Sequence, residues 1–168
     1  MTTSTPTTPA PSPEDHASAP TPSVTRRRRR SLVALAVTAV AALLLSGCFL
    51  TSTQEGALDH LNDSRSANGR GRLGPQWDAQ VKAQAWAERL ARENALYHSN
   101  LASGIGVRWC GLAENVGYAG SRKAVNEAFM RSPSHRANLM NTSWNGAGVG
   151  VAKRGDRVFV VQVFIRTC

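Results

Sequence analysis

The stretch Gly148-Val149-Gly150-Val151-Ala152-Lys153-Arg154-Gly155-Asp156-Arg157-Val158-Phe159-Val160-Val161-Gln162-Val163-Phe164-Ile165 decides how the chain folds. Its hydrophobic period is two. Ala147 to Lys153 and Arg157 to Arg166 read as two strands joined by a turn through Arg154-Gly155-Asp156. In the second strand Phe159, Val161, Val163 and Ile165 lie on one face, and Val158, Val160 and Phe164 on the other. A strand that is apolar on both faces needs cover on both sides. Gly148 and Gly150 leave one face of the first strand nearly bare, which predicts that a helix or loop backbone approaches closely there.

Upstream of this hairpin the period is helical. A first helix is predicted from about Glu55 to Asn68, with Leu58 and Leu61 on one side and Gly69 as its stop. A Gly/Arg turn leads to Leu73-Gly74-Pro75. The second helix is expected to start at Asp78 as N-cap and to run to about Leu96. Ala79, Ala83, Trp86 and Leu90 recur on it at helical spacing, which places Trp86 in the core. Residues 97–120 hold five glycines and read as loop, with a short strand around Asn115 to Tyr118. A third helix covers Arg122 to Arg131, with Val125, Ala128 and Phe129 inward. Ser132-Pro133 then looks like the start of a short fourth helix: serine satisfies an orphan amide at the N-cap, and proline at the first helical position lacks a donor to be left unmet. That start holds His135 in a defined direction. Helices first, then strands, with cover on both faces, give an α+β fold: a three-layer α-β-α sandwich with a small, mostly antiparallel sheet.

The globular unit occupies residues 55–168, one domain by length. Residues 1–25 are almost entirely Thr, Pro, Ser and Ala and cannot bury enough surface to offset their ordering entropy. Residues 26–48 read as an export signal: five arginines (Arg26 to Arg30), an apolar run from Leu32 to Leu45 broken only by Thr38, and a small-residue site. Residues 49–54 are a short linker. The apolar run is short of the ~20 residues that span a bilayer as a helix; stretched to Leu50, it reads as an uncleaved signal-anchor. Leu45-Ser46-Gly47-Cys48 resembles the lipobox of bacterial lipoproteins, which implies cleavage before Cys48, its lipidation, and a protein anchored on the outer face of the bacterial cell membrane. Signal-anchored or secreted forms are the alternatives. The chain carries a formal net charge of +9, five of whose positive charges are the export arginines; from Cys48 onward 15 Lys and Arg stand against 9 Asp and Glu, a net +6. These cations are scattered without a dense stripe or aromatic interleaving, so they read as a solvated basic surface that suits anionic lipid or wall polymer. Nucleic acid is excluded as a partner for an exported domain. With Cys48 assigned to the lipobox, Cys110 and Cys168 remain as an even pair in an oxidising compartment, and a disulfide between them is predicted.

Three histidines lie in this unit: His60, His98 and His135. Spacing alone reveals no metal motif, no Cys-x-x-Cys pair and no glycine-rich phosphate loop. Several blocks, in order, do resemble a known family. They are Asn62-x-x-Arg65-x-x-x-Gly69; Leu73 with Trp77-Asp78; Tyr97-His98-Ser99; Ala113-Glu114-Asn115-Val116; Ser132-Pro133-Ser134-His135-Arg136-Ala137-Asn138; and the closing hairpin. The chain thereby resembles the bacterial members of the CAP superfamily (SCP domains; cysteine-rich secretory proteins, antigen 5, pathogenesis-related proteins). The resemblance implies a central cleft lined by two histidines and two acidic residues, which in some members takes a divalent metal. His98, Glu114 and His135 match three of these positions, a plausible set for Zn²⁺ or another divalent cation. The fourth position departs: Phe129 stands where animal and plant members have a tryptophan, and Ser132 where they have a glutamate. Glu127 is near but does not match. The missing carboxylate weakens an acid/base mechanism.

Glu114-Asn115 reads equally as a loop clamp and as a ligand pair. Ser132, Arg136 and Asn138 read as support of the cleft or the fold, Ser134 is not a hydrolytic nucleophile, and His60 is a surface residue. The expected function is an extracytoplasmic binding module for a divalent metal, a small molecule, or a lipid or cell-envelope ligand. The alternative is a metal-dependent, protease-like hydrolase with His135 and Glu114 as catalytic residues around an activated water; a structural domain with a vestigial cleft is the third reading. The preface before Arg26 is long for a lipoprotein signal, and Val24 is an alternative start that leaves a signal of ordinary length. Mass spectrometry of the intact cells tests this: initiation at Val24 yields no peptide from residues 1–23, whereas a cytoplasmic tail on a signal-anchor yields one.

Overall fold

A computed structural model describes residues 50–168; the N-terminal tail, the predicted export signal and Cys48 lie outside the described residues. The elements in chain order are α1 (Ser52–Ala67), α2 (Trp77–Glu93), β1 (Trp109–Ala119), α3 (Arg122–Arg131), α4 (Pro133–Met140), β2 (Gly146–Arg154) and β3 (Arg157–Thr167). The three strands form one antiparallel sheet in the order β1-β3-β2. The two-faced strand β3 is therefore central, and each of its faces is covered. Val158, Val160 and Phe164 join β2 residues Ala147, Val149 and Val151 in packing on α1, α3 and α4. Phe159, Val161, Val163 and Ile165 pack on α2, through Ala79, Ala83, Ala87 and Leu90. The expected α-β-α sandwich follows from this division.

The close approach expected at Gly148 and Gly150 is made by α2. A Cβ on Gly148 would stand 2.1 Å from the Ala79 carbonyl carbon, and one on Gly150 would stand 2.0 Å from the Ala83 carbonyl oxygen. Between these contacts α2 also closes the outer edge of β2. The Gln80 amide accepts from Val149 N–H at 2.9 Å and donates to Val149 O at 2.9 Å. Gln84 repeats the pair on Val151, at 3.0 and 3.1 Å. Two residues further up, Ala147 donates to Gly74 O and accepts from Gln76 N–H. A helix repeats a side-chain position every ~6.0 Å at i+4, and a strand every ~6.7 Å at i+2, so the two ladders stay in step for two repeats. Side-chain amides thus stand in for a fourth strand along an edge that would otherwise be open.

Several boundaries differ from the sequence reading. The first helix starts at Ser52 rather than near Glu55, because Thr51 and Gln54 form a reciprocal capping box, and Leu50 is buried in the core. Gln76, not Asp78, caps α2 by accepting from Ala79 N–H. The Asp78 carboxylate instead accepts from Gly106 and Val107 N–H and pins the following loop. The helix ends at Glu93, with Asn94 in the left-handed region at φ 53°. Trp86 is only half-buried: it meets Tyr97 edge-on, donates from Nε1 to Tyr97 O, and lies under the Arg89 guanidinium. Ala128 is exposed rather than inward. The strand expected at Asn115 to Tyr118 is much longer, because ladder bonds to β3 override the weak local preference of its glycines.

Buried polar residues lock α1 to the rest. The Asn62 side chain pairs both backbone groups of Leu73. Arg65 is buried and donates to Gly71 O, Leu139 O and Asn141 O, closing the C-terminal end of α4. Burial, and secondarily Arg70, lowers its pKa. A Cys110–Cys168 disulfide forms as predicted and ties the end of β3 to the start of β1.

Two stability measurements by urea denaturation follow. Gly148→Ala should cost about 3 kcal/mol or more, since its methyl meets helix backbone that cannot yield, whereas Gly120→Ala, with open space around it, should be nearly neutral. Replacing Cys110 and Cys168 by alanine should cost about 4 kcal/mol for a loop of this length.

Candidate functional site

β1 is the edge strand on the side away from α2's glutamines, and its successive side chains point to opposite faces. Glu114 therefore points toward the loop that follows α2, and Asn115 toward α4. The candidate site lies where these two layers meet across the β1 edge. It owes its position to strand alternation at two neighbouring residues.

The Glu114 side chain is 2% exposed, and three donors meet its carboxylate. His98 Nδ1 lies 2.8 Å from Oε1, Ser99 N–H donates to Oε1 at 2.9 Å, and the Ser99 hydroxyl donates to Oε2 at 2.8 Å. The carboxylate thus clamps the loop and orients the His98 ring. The imidazole itself remains open, its side chain 61% exposed.

His135 lies on the first turn of α4. Its Nδ1 is 2.9 Å from Ser132 Oγ, and its ring packs against Phe129 with centroids 5.0 Å apart. Ser132 is the N-cap residue by position, with Pro133 next, yet its hydroxyl makes no capping hydrogen bond; it holds the histidine instead. The sequence reading of Ser132 as a capping side chain is corrected accordingly. The hydroxyl is close enough to accept from the imidazole or donate to it, and it occupies this place without adding charge. His135 titrates below the ordinary histidine value, first because it is partly buried and second because a charge on His98 opposes its own. Both causes favour the neutral imidazole of His135.

Behind the cleft runs a buried amide chain. Asn115 donates to His135 O and to Gln162 Oε1, both at 3.1 Å, and accepts from Asn138 Nδ2 at 2.9 Å. Asn138 also donates to Glu114 O at 3.4 Å. Gln162 donates to Asn126, which donates to His60 O and to Ser64 on α1. Asn115 and Asn138 therefore support the cleft, as expected. Arg136 does not face it: the guanidinium donates to Asn68 at the end of α1. His60 is half-buried on α1 and contributes its backbone carbonyl to this chain. Sequence reasoning missed Ser99 and Gln162. Gln162 had a signal, being the one polar residue within the apolar run from Val158 to Ile165, which must find partners when buried.

Among the described residues no three His, Cys, Asp or Glu side chains stand in metal-holding geometry. Glu114 is spent on His98 and Ser99, so a centre with Glu114, His98 and His135 as three direct ligands does not fit this arrangement. On the outer side of the clamp, sharing Ser99 with it, lies a cavity of about 580 Å³. Val81, Ala85 and Trp86 supply its apolar wall, and Lys82, Arg89 and Arg92 line it with positive charge; no carboxylate lines it. Lys82 is anchored by Asn100 O and Ser103 O.

The model of the cysteine-rich secretory protein family, CAP, matches residues 58–164. Among solved structures, the chain is similar to an extracellular protein containing an SCP domain from Bacillus anthracis (24% identity, TM-score 0.60), covering 68% of this chain and 40% of that one. It is similar to an outer surface protein from Borrelia burgdorferi (16% identity, TM-score 0.60; 68% and 92% covered). It is also similar to a cysteine-rich secretory protein from Staphylococcus aureus (20% identity, TM-score 0.57; 70% and 40% covered). The chain thus spans less than half the length of the Bacillus and Staphylococcus proteins. No curated protein matches it.

The depressed His135 pKa has a consequence for stability. The unfolded chain takes up a proton near the free value of 6.5, while the folded chain resists until lower pH, so this contribution is complete above pH 6.5 and is lost as pH falls toward the folded pKa. His135→Gln should flatten that part of the pH dependence, as read from urea midpoints at about pH 7.5 and about pH 5.5, either side of the free imidazole value.

Proposed function

The chain belongs to the CAP family of cysteine-rich secretory proteins, and from that premise we propose that it is an exported, membrane-anchored binding module rather than a hydrolase. The observation that carries this reading is the complete engagement of Glu114. Its carboxylate is buried under three hydrogen bonds, and the second acidic position is Ser132, so the cleft offers no free carboxylate as general acid or base. What the region offers is recognition: an open His98, a neutral His135, and a cationic, apolar-walled cavity beside them.

The ligand that fits this cavity is a small amphiphile with one anionic group. Its apolar body covers Val81, Ala85 and Trp86, and its carboxylate or phosphate meets Arg92, since Arg89 is already paired with Glu93. The cavity falls within the size range of small-molecule sites. A divalent cation held by the His98 and His135 imidazoles without Glu114 is the second reading, favoured by the contacts that orient each ring through Nδ1, to Glu114 and to Ser132.

Titration of the full chain in nanodiscs with decanoate, with decanol and with Zn²⁺ tests both. Decanoate should bind and decanol should bind more weakly, and Arg92→Glu should weaken decanoate about tenfold or more, the loss expected for a charged contact. Zn²⁺ binding, if this second reading holds, disappears in His98→Ala and His135→Ala with the fold retained. Equal binding of decanoate and decanol refutes the anionic ligand, and peptide or ester hydrolysis abolished by His135→Ala refutes the non-enzymatic reading.

A further inference from the structure

The end of the domain from which α1 begins brings together basic side chains from α2, α3 and the β2–β3 hairpin. Thr53 O accepts from Arg122 Nη1 at 2.6 Å, and Thr53 lines a recess with Ser121, Arg122, Val151, Lys153 and Val158. This places the first turn of α1 beside the start of α3 and the β2–β3 turn. The C-terminal end of α2 meets the same hairpin: Arg154 donates to Ala91 O and Arg92 O, and Arg157 donates to Asn94. Six cations cluster here, Arg92, Arg122, Lys123, Lys153, Arg154 and Arg157, all but Arg122 exposed. The carboxylates of this end are Asp156, Glu55 and Glu88, together with Glu93 and Glu127, which are already paired with Arg89 and Lys123.

Two large apolar side chains are exposed at the same end. Leu96 follows the α2 terminus, 45% exposed, and Tyr118 lies at the end of β1, 42% exposed. Arg157 stacks on the Tyr118 ring at 4.8 Å. Basic side chains interleaved with a leucine and a tyrosine suit a water–lipid boundary, where the amphipathic ring sits at headgroup level and cations meet anionic lipid.

From this we infer that this end of the domain is a docking face for an anionic lipid surface, which holds the domain in one orientation on its membrane. The inference rests on the anchored reading given above. The apolar run ends at Leu45, six residues before Thr51, a reach of roughly 20 Å at most. A chain tethered there keeps Thr51 within that reach of the bilayer. The tether holds the chain at the bilayer, and the basic face sets which way the domain lies on it. Each cation near the surface strengthens the contact about fivefold, and the contact weakens as salt shortens the Debye length below ~8 Å.

Hydrogen–deuterium exchange of the full chain, reconstituted into vesicles of phosphatidylcholine alone or mixed with phosphatidylglycerol, tests the face, and flotation of the same samples tests the tether. The expected result is flotation with both compositions and slowed exchange at Asn94–Leu96 and Arg154–Arg157 only with phosphatidylglycerol. Lys123→Glu/Lys153→Glu leaves the hydrogen bonds of the fold intact and should abolish that slowing without affecting flotation. Flotation with no slowing, or slowing that is equal on both compositions or indifferent to the double substitution, overturns the docking face alone. Failure to float overturns the tether and the docking face with it.

Discussion

The rest of the structure depends on the seam between α2 and β2. Gly148 and Gly150 remove the side chains that would keep a helix at ordinary distance, so the α2 backbone rests directly on the strand. The gap thus closed brings Gln80 and Gln84 within reach of Val149 and Val151, and their amides satisfy an edge that has no strand to pair with. A seam this tight has no slack. It fixes the height of α2 over β3, hence where Ala83, Ala87 and Leu90 meet Phe159 and Val161. It also fixes where the chain leaves α2 and turns back across the sheet.

That exit point decides the site. After Asn94 the chain must pass the open edge of β1, and Glu114 catches it through His98 and Ser99. On the other face, Asn115 reaches α4 and holds the His135 carbonyl. The candidate site spans two layers pinned to adjacent residues of one strand. The amides behind it, Asn115, Asn138, Gln162 and Asn126, are all partnered, and no buried side-chain nitrogen or oxygen among the described residues lacks a hydrogen bond. Such a network gains strength from its low-dielectric surroundings, and removing one member would leave another unpaired at high cost. It explains why a small sheet with both faces covered tolerates polar residues at its centre.

Most of the fold was legible because its signals are local or periodic. The two-faced pattern of β3, the bare face at Gly148 and Gly150, and the Ser132-Pro133 helix start each carry a physical consequence that holds in any surroundings. Errors fell where tertiary contacts outrank local preference. Asp78 has the right chemistry for a helix cap, but a loop with unpaired amides competes for it. The glycines of β1 argue for a loop until β3 supplies a full ladder. Trp86 sits at core spacing, yet its ring is turned to Tyr97 and the Arg89 guanidinium rather than into the sheet.

The sequence by itself determined the class of fold, the layers that β3 requires and the pairing of Cys110 with Cys168, while its resemblance to a family pointed to His98, Glu114 and His135 as a group. These follow from period, composition and ordered motifs. Only the tertiary structure decided what each member of the group does. Glu114 became a buried clamp because Ser99 and His98 fold over it, and Ser132 became the partner of His135 because the ring, and not an amide, lies at the end of its hydroxyl. The physical reason is directional. Spacing along a chain says which residues can be near one another, but a hydrogen bond depends on where each donor points, and that is settled only when helices, strands and loops are packed.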